Sequence, residues 1–179
     1  MKLIRSTVRN DHQDKVKEMS LQLEVFERLG THYHATVDAR VVLSHEQRDK
    51  GRLKVTSSDG AEVRIFLERG SPLQVGEFLR TRCGKHVLIE GAYENVVTAT
   101  CKDWFTFSRA CYHLGNRHVK VQLGLEPGKG LIEPVRKWLR ILPDHVLEEM
   151  LELLGLELSH EIDIFNPESG AYSHGHHHH

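Results

Sequence analysis

Between Val96 and Phe165 the apolar pattern changes period in a fixed order, and that order restricts the folds open to this chain. "VVTAT" reads as a strand, and Asp103 follows it as a helix N-cap. Trp104, Phe107, Cys111 and Leu114 then fall 3, 4 and 3 residues apart, one face of a helix that Gly115 is placed to stop. "HVKVQL" alternates as a strand, "GLEPGKG" turns, and a second strand is centred on "LIEPVRK". Asp144 caps another helix, in which Leu147, Met150, Leu151 and Leu154 make a stripe that Gly155 terminates. "LELSHEIDIF" closes as a strand. The order β-α-β-β-α-β predicts a ferredoxin-like sheet with both helices on one face.

Upstream the signals are of another kind. From Thr31 to about Glu90, "VDARVVL", "GRLKVTS", "EVRIFLE" and "HVLIEG" are short, β-branched and separated by turns such as Ser58-Asp59-Gly60. They predict a small all-β unit. Residues 14–30 carry both periods: Val16, Met19, Leu23 and Phe26 at helical spacing, Leu21, Leu23 and Val25 alternating as in a strand. The predicted class is therefore α+β. An N-terminal β domain spans 1–92, a ferredoxin-like domain spans 95–165, and 166–179 form a flexible histidine-rich tail.

Bulk properties exclude several functions. With 27% charged residues and a net charge of -1, no overall field draws the chain to nucleic acid or lipid. No apolar run approaches the roughly 18 residues a membrane span needs. "MKLIRSTVRND" turns polar too early for a signal peptide, and Cys83, Cys101 and Cys111 form no CxxC. A cytoplasmic, reduced protein is expected. An RNA-binding use of the β-α-β-β-α-β order would need exposed stacking aromatics and basic excess, which the strands lack. No nucleophile has a base nearby in motif context, so no enzyme is expected. "EPGKG" lacks the spacing of a phosphate-binding loop.

Histidine is the outlier, with 14 residues in all. The chain ends "GAYSHGHHHH", a run that resembles a purification tag but is also a metal-binding composition. In "ACYHLGNRHVKVQ" the alternation places Val119, Val121 and Leu123 on one strand face and His118, Lys120 and Gln122 on the other. If the apolar set lies under the helices, His118 points from the open face. One imidazole is a poor site, but a two-fold dimer would present the residue twice, and tail histidines could add ligands.

The same residues carry a resemblance. "AcYHLGNRHv..Q" is similar to the signature of the UreE urease accessory proteins, nickel metallochaperones. "FNPESGAYSHGHHHH" resembles that family's F-x-P-E-x-G-A-Y end with its native histidine-rich tail, and "GRLKVTSSDGAEVRIFLERGSPLQVGEFLRT" resembles its N-terminal domain. The resemblance runs from about Asp38 to the end. It implies a cytoplasmic homodimer with a peptide-binding-like β domain and a ferredoxin-like metal domain. It also implies delivery of Ni(II) to apo-urease through a UreG-type GTPase and other urease accessory proteins. His118 matches the ligand shared across the dimer. The tail ligand falls among His174, His176, His177, His178 and His179. His113 matches the histidine that follows the signature tyrosine, and its place on the shoulder of the helix points to a structural or secondary role rather than ligation. Leu131, Ile132 and Glu133 stand where some relatives carry additional histidines, so auxiliary sites there are not expected.

Nickel comes from the resemblance alone. Imidazole sites follow the Irving–Williams order, so Cu(II) or Zn(II) binding is also expected. The competing function is passive Ni or Zn storage without a delivery partner. Other histidines and cysteines have structural readings. His32 and His34 alternate as exposed strand residues, His160 shares a face with Leu156, Leu158, Ile162 and Ile164 as a core or rim residue, and Cys111 belongs to the helix stripe.

Overall fold

A computed structural model describes residues 22–68, 70–126 and 136–169. The first six strands are β1 (Gln22–Gly30), β2 (Ala39–Leu43), β3 (Arg52–Thr56), β4 (Glu62–Phe66), β5 (Phe78–Thr81) and β6 (His86–Gly91), with a short helix α1 (His45–Arg48) after β2. They form one sheet in the order β2-β6-β5-β1-β4-β3, in which β1 runs parallel to β4 and β2 parallel to β6. Alternation decides what each strand buries: Leu23 and Val25, Val41 and Leu43, Val63 and Ile65, and Val87 and Ile89 share one core. The two-period segment resolves here as strand over 22–30. Phe26, which a helix would bury beside Leu23, is 43% exposed and stacks on Phe66 across the sheet. Residues 14–21 lie outside the described part. β5 and α1 carried too few periodic residues to be anticipated. Ser44 and Gln47 close a capping box on α1.

The second unit contains β7 (Tyr93–Cys101), α2 (Trp104–Asn116), β8 (Gln122–Glu126), β9 (Arg136–Ile141), α3 (His145–Leu153) and β10 (Glu157–Ile164). Its sheet order is β10-β7-β9-β8 with antiparallel neighbours, the ferredoxin-like arrangement expected from the element order. Val97, Ala99 and Cys101 of β7 and Leu139 and Ile141 of β9 meet Phe107, Ala110 and Leu114 of α2 and Leu151 of α3 in one core. Trp104 departs from the expected stripe. It is 62% exposed, with the Lys137 ammonium 4.6 Å from its ring centroid, and Ala110 fills the core position instead. The second strand of the hairpin is described over Arg136–Ile141, and residues 127–135, which hold most of "LIEPVRK", are outside the described part.

Both expected N-caps are present. Asp103 accepts from the Thr106 N–H at 2.8 Å, and Asp144 Oδ1 accepts from the N–H groups of Val146 and Leu147 at 2.9 and 3.1 Å. Gly155, at φ +93, ends α3 as anticipated. Asp144→Ala is expected to cost about 1 kcal/mol in urea unfolding, and no measurable loss would mean that the cap contributes nothing to α3.

The two units meet at the end of the sheet where β10 finishes. Gly91 leaves room for Ile164, whose Cγ2 would lie 2.4 Å from any Cβ there. Phe165 is fully buried, edge-on to His45 at 5.1 Å. His45 Nδ1 lies 2.8 Å from Glu94 Oε1, and the His45 backbone N–H donates to Oε2 at 2.9 Å. Arg48, 4% exposed, donates to the Phe165 carbonyl and, at 2.7 Å, to Asn166 Oδ1, while its Nε has no partner. Burial pulls the Arg48 pKa down, opposed by the carboxylates of Glu94 and Asp49.

Candidate metal centre

His118 is not on a strand face. α2 continues through Gly115 to Asn116, Arg117 is its C-cap, and β8 begins only at Gln122. The expected helix stop at Gly115 and the expected strand from His118 are both corrected. The cause lies in the backbone after the helix. His118 has φ 54, alone among the described non-glycine residues in adopting positive φ. Its N–H donates to the Gly115 carbonyl at 2.9 Å, and the Val119 N–H donates to the Leu114 carbonyl at 3.2 Å. This is the Schellman pair of bonds, with His118 in the left-handed position that usually belongs to glycine. Val119, packed on the core that includes Leu114, supplies the accompanying apolar contact. A side chain in that conformation costs about 1–2 kcal/mol relative to ordinary helical backbone. The fold thus holds an exposed imidazole on a strained turn at the negative end of a helix dipole, a favourable place for a cation.

His113 lies in the last turn of α2, half-buried, beside the Tyr112 ring at 5.5 Å, and its carbonyl accepts from Arg117 at 3.0 Å. Three of the other six described histidines have carboxylate partners: His45 with Glu94, His86 with Asp38 at 3.8 Å, and His160 with Glu148 at 3.2 Å. His160 is a rim residue at 65% side-chain exposure. His32 and His34 are exposed but follow β1 outside any strand, so strand alternation does not pair them. Cys111 is half-buried against the core, and burial raises its thiol pKa. The junction pair His45–Glu94 was invisible in the sequence, because "LSHEQR" carries no periodic signal and Glu94 is 49 residues away.

Among the described residues no three His, Cys, Asp or Glu side chains of one chain converge as a metal site. The root of the tail is nevertheless close to the His118 turn. The Glu168 N–H donates to the Val121 carbonyl at 2.9 Å, and the Asn166 N–H donates to Gln122 Oε1 at 2.9 Å. His174, His176, His177, His178 and His179 lie outside the described residues.

This two-domain arrangement has clear relatives. Residues 25–92 match the family model of the UreE urease accessory protein N-terminal domain, and residues 94–179 match that of its C-terminal domain. The chain is 58% identical over 157 residues to the urease accessory protein UreE of Marinomonas sp. (strain MWYL1), covering 88% of this chain and 99% of that one. It is 44% identical over 149 residues to the protein of the same name from Alteromonas mediterranea, covering 83% and 90%. The chain belongs to the UreE family of urease accessory proteins.

Proposed function

We propose that the protein is a nickel metallochaperone of urease maturation, a non-enzymatic cytoplasmic homodimer that carries Ni(II) as cargo. Two copies of His118 across the two-fold axis and histidines of the tail hold the ion, with His113 in a secondary role. The observation that carries this reading is the imidazole kept at a left-handed helix cap, where glycine would relieve strain.

Two further features support it. α2 presents Phe105 and Tyr112, 73% and 66% exposed and two turns apart on one side, on the helix whose capping turn holds His118. An aromatic stripe of this kind suits a two-fold interface that would bring the two caps together. Reach is also sufficient. Val121 is three Cα steps from His118, at most about 11 Å, and the six residues from Glu168 to His174 span up to about 20 Å. Imidazole ligands accept Ni(II), Zn(II) and Cu(II), so the choice of nickel rests on the family. None of the helices described is long and apolar enough to cross a membrane. The partners of this reading are a UreG-type GTPase, other accessory proteins and apo-urease.

Removing His174 to His179 is expected to lower the number of Ni(II) ions bound per dimer while leaving the fold intact, because a Gly- and His-rich terminus adds nothing to a core. Calorimetric titration checks this, and unchanged stoichiometry and affinity would make the tail inert. Delivery is tested separately. The loaded protein should transfer Ni(II) to apo-urease in the presence of the GTPase, whereas a storage protein would release it no faster than buffer exchange does.

A further inference from the structure

β10 and β8 are opposite edges of the four-stranded sheet, three strand spacings or about 14 Å apart. The tail leaves from β10, yet its root is hydrogen-bonded beside β8. Four steps, from Ile164 to Glu168, cover the crossing, and four extended residues span about 13–14 Å. Its first residue, Phe165, is buried at the domain junction, and its carbonyl and the Asn166 side chain are both taken by Arg48 of α1. Asn166 and Glu168 then bond to Gln122 and Val121. Lys120, two residues after His118, is ion-paired with Asp49, the neighbour of Arg48. One corner of the β domain thus touches both the His118 turn and the strap that leads to the tail.

We infer that Arg48 and its neighbour Asp49 make the N-terminal domain a positioning element for the tail, clamping the strap 165–168 across the sheet end so that the tail starts beside His118. Burying a guanidinium with one N–H unpaired is unfavourable, and a purely structural contact at this corner could be apolar. With the clamp the last held residue before His174 is Glu168 or a later one, at most six residues away, against ten from Ile164. Effective concentration falls roughly as the −3/2 power of tether length, so the shorter tether raises it about twofold, and more once the lateral displacement is included. The metal consequence rests on the function proposed above; the clamp itself does not.

The test uses the full-length protein with Arg48→Gln and, because a buried arginine variant can fail to fold, with the exposed Asn166→Ala. Amide hydrogen exchange without metal is read at Glu168. Exchange is expected to quicken about tenfold or more in either variant, and an unchanged rate in the folded variants overturns the clamp. Ni(II) titration is then run with and without His174 to His179. Each substitution is expected to weaken binding about two- to fivefold in the full chain and to have no effect in the truncated one. An equal loss in the truncated chain would mean that Arg48 acts by general stabilisation, and positioning would be overturned. If truncation alone leaves Ni(II) binding unchanged while Glu168 exchange responds, the clamp stands as a structural device and its role in metal capture falls with the tail.

Discussion

His118→Gly is expected to weaken Ni(II) binding by at least ten- to a hundredfold and, in the same molecule, to raise the stability of the metal-free protein by about 1 kcal/mol. The first effect follows from the proposed homodimer, in which one substitution removes an imidazole from each protomer, and loss even of a group supporting a ligand costs about 10–100-fold in affinity. The second follows from φ 54 at residue 118. Glycine adopts this conformation without steric penalty, and the relief exceeds the extra entropy it gives the unfolded chain. His118→Ala separates the two effects, since it deletes the ligand but keeps the strain, so it should match glycine in metal affinity without the gain in stability. Titrations and urea unfolding of both variants decide the matter. Parental affinity in both would remove His118 from the site, and a loss of stability in the glycine variant would contradict the cap geometry.

Phe165→Ala is expected to destabilise the protein by about 3–5 kcal/mol, the range for deleting a fully buried aromatic side chain. The ring fills the junction beside His45, and its backbone carbonyl is an acceptor for Arg48, so the cavity would open where both domains and the strap meet. Urea unfolding measures the loss. A change under about 1 kcal/mol would show that the junction collapses around the gap or that the two units are not packed together there.

Much of the C-terminal architecture was legible in the sequence, for a physical reason. Helix stripes such as Leu147–Leu151–Leu154, caps at Asp103 and Asp144, and the stop at Gly155 are local signals, written within one or two turns of the residue they govern. The alternation in β4 and β6 is equally local. The failures share the opposite property. Gly115 looked like the helix stop because glycine favours positive φ, but Val119 packs onto the core, and the turn falls so that the left-handed residue is His118. The alternating "HVKVQL" then reads as strand although only its end pairs with β9.

From the sequence alone came the ferredoxin-like order, the all-β first unit, and the proposal of His118 and the tail histidines as metal ligands. Periodicity and residue type are properties of neighbours in the chain. Only the tertiary structure decided that His118 stands on a helix cap rather than a strand face, and that β10 and β8 lie on opposite sheet edges with the strap 165–168 between them. It alone joined Arg48 to Asn166 and His45 to Glu94, 118 and 49 residues apart. Such pairings depend on burial, which makes an unpartnered charge expensive wherever the fold happens to enclose it, and no local pattern records which distant partner will be enclosed with it.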